Sequence, residues 1–167
     1  MRKQGLPQPD PAGLGQESVW DYPRPPALEP AARRVCVTLG GVVIAESSQS
    51  VRVLETSHPP TYYVPPADTA REYFSRAPGR SFCEWKGSAA YWTVSAGGLA
   101  VVGRAWSYPQ PIPAFADLAN YVSFYPADFS CFLDDEVVRP QPGRFYGGWV
   151  TGDIVGPFKG VPGSERW

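Results

Sequence analysis

Long apolar runs are missing from this sequence: no stretch approaches the length a membrane-crossing helix needs, and Met1-Arg2-Lys3 is followed by polar residues rather than a signal core. A cytoplasmic, soluble protein is the expectation. Charge is also scarce. Only 19% of residues are charged and the net charge is -1, which leaves no basic footprint for nucleic acid or an anionic membrane. The three cysteines, Cys36, Cys83 and Cys131, form no CxxC pair, and His58 is the single histidine. Neither a metal site nor a disulfide framework is expected from so sparse a set. Glycine-rich dinucleotide and phosphate loops, HExxH and GxSxG are absent too, so the sequence implies no cofactor.

What is plentiful is turn chemistry and rings. Pro 20, Gly 17 and 14% aromatic residues predict short strands and tight turns around an aromatic-rich core rather than long helices. The 167 residues suffice for one domain. Residues 1–17 read as a flexible N-terminal arm, and 18–167 as a single domain that includes an aromatic N-terminal segment. The aromatics of Val19-Trp20-Asp21-Tyr22 have two readings, as rings packed on the domain or as a lid over a pocket.

Alternation predicts a strand at Arg34–Leu39, a hairpin turn at Gly40-Gly41 and a return strand from Val42. Val51–Glu55 follows as a third strand, with Val51, Val53 and Glu55 on one face. Tyr62–Val64 reads as a short strand and Pro65–Phe74 as a helix ended by Pro78-Gly79. Ser81–Lys86 and Ala89–Val94 read as hairpin partners, and Gly97-Gly98 turns into Leu99–Val102. Trp106–Pro109 is expected as an aromatic loop, with a helical turn or two at Pro113–Leu118. Strands at Tyr121–Pro126, Cys131–Leu133 and Val137-Val138 precede a Gly/Pro-rich tail that wraps the sheet as ordered coil.

The chemistry concentrates around Glu55-Thr56-Ser57-His58. A carboxylate in line with an apolar face must find a partner such as Arg, Lys, Tyr or a backbone N–H. Cys83 with His58 and Glu55 holds the ingredients of an activated thiol. Lys86, read on the same strand face as Glu84, suits an anion anchor or, if desolvated, a base. Tyr63 would be a proton donor or orienting hydroxyl. The rings of Tyr62, Trp85, Trp92, Trp106 and Tyr108 read either as core or as a cage for a flat or cationic ligand. The catalytic set is thus Glu55, Lys86, Cys83 and Tyr63, and the binding set is His58, Tyr62, Trp85, Trp92, Trp106 and Tyr108. The partner expected is a small molecule, with a homodimer as an option. The activity expected is acid/base chemistry on a small planar or anionic metabolite; the competing reading is a non-catalytic ligand-binding module.

Several blocks together carry a family resemblance. They are Ser18-Val19-Trp20-Asp21-Tyr22-Pro23, Glu55-Thr56 through Tyr62-Tyr63-Val64-Pro65, Cys83-Glu84-Trp85-Lys86-Gly87, Trp106-Ser107-Tyr108-Pro109, Tyr121–Pro126 and Arg144-Phe145-Tyr146-Gly147-Gly148-Trp149. In this order they resemble the bacterial and fungal domain of unknown function family 427. The resemblance implies a mainly β fold, a single twisted antiparallel sheet of the β-tent (Mss4-like) type with one or two short helices. It implies Glu55-Thr56 and the Cys83…Lys86-Gly87 block as characteristic positions. Many β-tent relatives hold zinc through CxxC pairs, which this sequence lacks. No reaction comes with the resemblance.

Overall fold

A computed structural model describes residues 5–167. The chain is mainly β, as the alternation predicts, and its strands divide among several sheets. In chain order they are β1 (Glu17–Ser18), β2 (Ala27–Pro30), β3 (Val35–Leu39), β4 (Val42–Ser47), β5 (Val51–Leu54), β6 (Thr61–Tyr63), β7 (Phe74–Cys83) and β8 (Gly87–Ala96). There follow β9 (Leu99–Ser107), β10 (Val122–Phe124), β11 (Ser130–Leu133), β12 (Glu136–Val137), β13 (Arg139–Pro140), β14 (Trp149–Val150) and β15 (Ile154–Val155). There are two four-stranded antiparallel sheets, ordered β10-β9-β8-β7 and β12-β11-β3-β4, and a three-stranded sheet β2-β5-β6, after which Val64 bridges Val122 of β10. The short pair β1–β15 is parallel and ties the N-terminal segment to the tail.

Strand β3 shows why the hairpin forms where it does. Val35, Val37 and Leu39 are buried while Cys36 and Thr38 are less so, and Gly40-Gly41 supply the two positive φ angles the turn requires. The buried side chains join Ile44, Val94, Phe124, Leu133 and Trp149 in a core shared by both four-stranded sheets. A second cluster lies on the opposite face of β8 and β9, where Ala89 and Trp106 meet Val53, Tyr63, Tyr108 and Leu118.

The region 65–80 departs from the expected helix. It forms two 3-10 turns, Pro66–Asp68 and Arg71–Tyr73, and then enters β7. Competition from β4 explains the change. The Ala70 N–H donates to the Ile44 carbonyl at 2.9 Å and Thr69 bridges Ala45, so the backbone spends its hydrogen bonds outside the segment. Pro78-Gly79 does not terminate a helix but sits in a bulge of β7, an edge strand, where a missing N–H is tolerated. The predicted strand to Lys86 ends at Cys83, and Glu84-Trp85-Lys86 form the turn into β8. Trp106 and Ser107 belong to β9 rather than to a loop.

The N-terminal aromatics pack on the domain. Val19 and Tyr22 are buried against Leu54 and Ile154, and the Trp20 indole N–H donates to the Pro157 carbonyl at 2.9 Å. None of these three lines the large cavity described below, whereas Arg24 of the same segment reaches Glu55 on its wall. Part of the expected arm, residues 1–4, lies outside the described residues. Within its remainder, Asp10 N–H donates to the Gly156 carbonyl and the Gln16 amide to the Gly152 carbonyl. No helix among the described residues is long and apolar enough to cross a membrane.

Candidate functional site

After β5 the chain makes a tight turn, closed by the His58 N–H to the Glu55 carbonyl at 3.0 Å, with Ser57 in the left-handed region at φ 73°. Because the turn joins residues three apart, the two side chains come to the same side. Both termini fix it: Ser57 N–H donates to the Val19 carbonyl, and Lys159 N–H donates to that of Ser57. The Glu55 carboxylate accepts from Arg24 Nη2 at 3.2 Å through Oε2, and His58 Nε2 stands 3.5 Å from the same oxygen. The partner that a half-buried carboxylate requires is therefore Arg24, with His58 beside it. Oε1 has no hydrogen-bond partner among the described residues.

The tautomer of His58 follows from Gln141, which is buried. Gln141 Oε1 accepts from the Gly148 N–H at 3.1 Å, so its amide nitrogen faces the Lys159 carbonyl at 2.8 Å and His58 Nδ1 at 3.1 Å. An amide N–H can only donate, so Nδ1 accepts and the ring proton sits on Nε2, toward Glu55. Burial, with Lys159, Arg24 and Lys86 nearby, pulls the His58 pKa down to about 3, and the ring is neutral at pH 7. The fall despite an adjacent carboxylate is led by burial, with the three cations adding to it.

Across the cavity, the Cys83–Gly87 turn brings Lys86 back onto Cys83. The Lys86 N–H donates to the Cys83 carbonyl at 3.3 Å, and Nζ lies 3.8 Å from Sγ and 5.9 Å from the Tyr108 ring centre. Burial pulls the Lys86 pKa down, but Tyr63, Cys83 and Glu55 outweigh it and leave it raised. Lys86 is thus a fixed ammonium and not a base. Its expected position beside Glu84 on a strand face gives way to the turn. Burial, and then Tyr63 and Cys83, push the Tyr108 hydroxyl well above the usual phenol range, which keeps it a neutral phenol able to donate and to accept.

Glu55, His58, Tyr63, Cys83, Lys86, Trp85, Trp106 and Tyr108 all line one cavity of about 600 Å³. Two expected residues do not. Tyr62 alternates with Tyr63 and so points to the other face, where it packs on Trp149 at 5.0 Å between ring centres. Trp92 alternates with Tyr91 in the same way; its indole N–H donates to Ser107 Oγ at 2.7 Å and its ring packs edge-on to Phe74. A Cys–His–Glu relay is not assembled either. Both ring nitrogens of His58 are committed, to Gln141 and toward Glu55, while the hydrogen-bond partner of Cys83 is Lys86.

Other lining residues were not foreseen. Tyr91 and Arg104 fall on the cavity face by the period of two, counting from Ala89 and Trp106. A bulge in β9 at Gly103-Arg104, with Gly103 at φ 71°, helps turn Arg104 inward. Its guanidinium pairs with Asp128 at 2.7 Å and lies 3.6 Å over the Tyr125 ring. The tail supplies Tyr146, edge-on to His58, and Lys159, 5.6 Å over Tyr146. Nothing periodic marks these tail positions. Among the described residues, no group of three or more His, Cys, Asp or Glu converges to hold a metal ion.

Fold and site together define a small, mainly β protein with a ligand-sized, aromatic-walled cavity. The family model described as domain of unknown function DUF427 matches residues 27–138, and the chain belongs to that family. No curated protein matches the sequence.

Proposed function

We propose that the cavity binds a small, planar, anionic metabolite and acts on it by acid/base chemistry, with Glu55 as the proton-transferring group. One observation carries this reading. A carboxylate with one uncommitted oxygen and a fixed ammonium open on the same cavity of about 600 Å³, a size suited to a metabolite. Lys86 anchors the ligand's negative charge, the Tyr63 hydroxyl orients it, and the Cys83 thiol lies beside the anchor. Glu55 Oε1 takes or returns a proton. The wall rings favour an anion over a cation, since Lys86, Arg104 and Lys159 already lie over Tyr108, Tyr125 and Tyr146. A cage for a cationic guest would have those faces open.

The competing reading, a binding module without turnover, has its own support. Arg24 and His58 both lean on Glu55 Oε2, as they would if the carboxylate only orients a ligand. The test is incubation of the protein with an anionic metabolite fraction, followed by mass spectrometry. We expect wild type to convert a metabolite that Glu55→Gln retains but does not convert. Retention without conversion by wild type leaves only the binding module. The two four-stranded sheets sharing one core also support an architecture of the β-tent type, which we include in the proposal.

A further inference from the structure

The bulge that replaces the expected helix end has a consequence for charge. In the β7–β8 pairing, Arg76 faces Trp92 and Arg80 faces Ala90, so residues 77–79 together oppose Tyr91 alone. Two extra residues bring Arg76 and Arg80 onto one face, as if they were two apart in a regular strand. Tyr91 looks into the large cavity, so the arginines stand on the other side of the sheet. They border a second cleft of about 370 Å³ with Ser88, Ala89, Ala90, Pro109 and Gln110, in which Ala89 is shared with the edge of the large cavity. Arg71 joins them: its guanidinium and that of Arg76 lie 6.0 and 5.4 Å from the Trp92 ring centre.

Elsewhere Arg33, Arg34, Arg52 and Arg104 each find a carboxylate. Arg71, Arg76 and Arg80 have no ion pair or side-chain hydrogen bond among the described residues. Between Thr69 and Cys83 the only acid is Glu72, which is exposed and in no ion pair. Like charges gathered without a counter-charge repel. Stacking on Trp92 holds two of the guanidinium groups in place, and their forked donors match an oxyanion.

We propose that this cleft is a second binding site, for a phosphate group, formed by Arg76 and Arg80 with Arg71 stacked behind. The site is independent of the chemistry in the large cavity. Titration of the full chain with inorganic phosphate and with phenyl phosphate, at ionic strength held constant with chloride, tests it by calorimetry. The titrations use Lys86→Met, whose large cavity lacks its anion anchor; saturable binding is expected there, weakened at least about tenfold when Arg76→Gln/Arg80→Gln is added. Tighter binding of the ester assigns the site to phosphate esters, and tighter binding of phosphate assigns it to the free ion. Near-ultraviolet circular dichroism checks that the surface variant folds. Binding to Lys86→Met no stronger than chloride's, or binding that the arginine substitutions leave unchanged in that background, overturns the proposal.

Discussion

Acidification from pH 7 to pH 5 should destabilise the folded protein by about 2 kcal/mol through His58 alone. The ring sits about 13% exposed, with its pKa depressed to about 3 by burial and by Lys159, Arg24 and Lys86. In the unfolded chain it returns to about 6.5. A folded pKa below the unfolded one means that the unfolded state takes up the extra proton. Stability is therefore complete above about pH 6.5 and is lost steadily, at about 1.4 kcal/mol per pH unit, as pH falls toward the folded value. At pH 5 the expected loss depends on the unfolded pKa, provided the folded one lies well below 5. As the chain's single histidine, His58 makes the assay clean. Urea unfolding of wild type and His58→Gln at both pH values gives a double difference from which the carboxylates cancel. Wild type should lose about 2 kcal/mol more than the variant. Equal losses, or an imidazole resonance that titrates near pH 6.5 in the folded protein, would refute a neutral, cation-flanked His58.

Gln141→Leu strands the Gly148 N–H, the Lys159 carbonyl and His58 Nδ1; a loss of about 3 kcal/mol is expected, measured by urea unfolding. Nitrogen-detected NMR of wild type should show the ring proton on Nε2, toward Glu55; a proton on Nδ1 would contradict the orientation set by Gln141. Gly147→Ala places a Cβ 2.4 Å from Trp106 Cη2, so about 1–3 kcal/mol should be lost as the ring is pushed into the cavity. A neutral effect in thermal unfolding would contradict the packing of that wall.

Much of the β structure was legible because one-sided burial writes itself as alternation. Val35, Val37 and Leu39 are the plainest case, and Gly40-Gly41 and Gly97-Gly98 mark hairpins that the structure contains. The same rule, applied more strictly, separates Tyr63 from Tyr62 and Tyr91 from Trp92, since neighbours on a strand cannot share a face. The Pro65–Phe74 segment was illegible for a different reason. Its local composition favours a helix, and only the edge of β4, distant in sequence, diverts Thr69 and Ala70 into pairing. Glu55, Cys83 and Lys86 were picked out as candidates by residue type, although the turn that carries Lys86 was read as strand. Gln141, Tyr146 and Lys159 reach the cavity from coil, where position is set by tertiary contacts and leaves no period to read.

Calorimetric titration of the full chain with benzoate and with benzylammonium, two flat probes of opposite charge, tests the central claim most directly. The cations in and around the cavity predict that benzoate binds, that Lys86→Met weakens it about tenfold or more, and that benzylammonium does not bind. Preferential binding of benzylammonium, or benzoate binding indifferent to Lys86, would contradict the account.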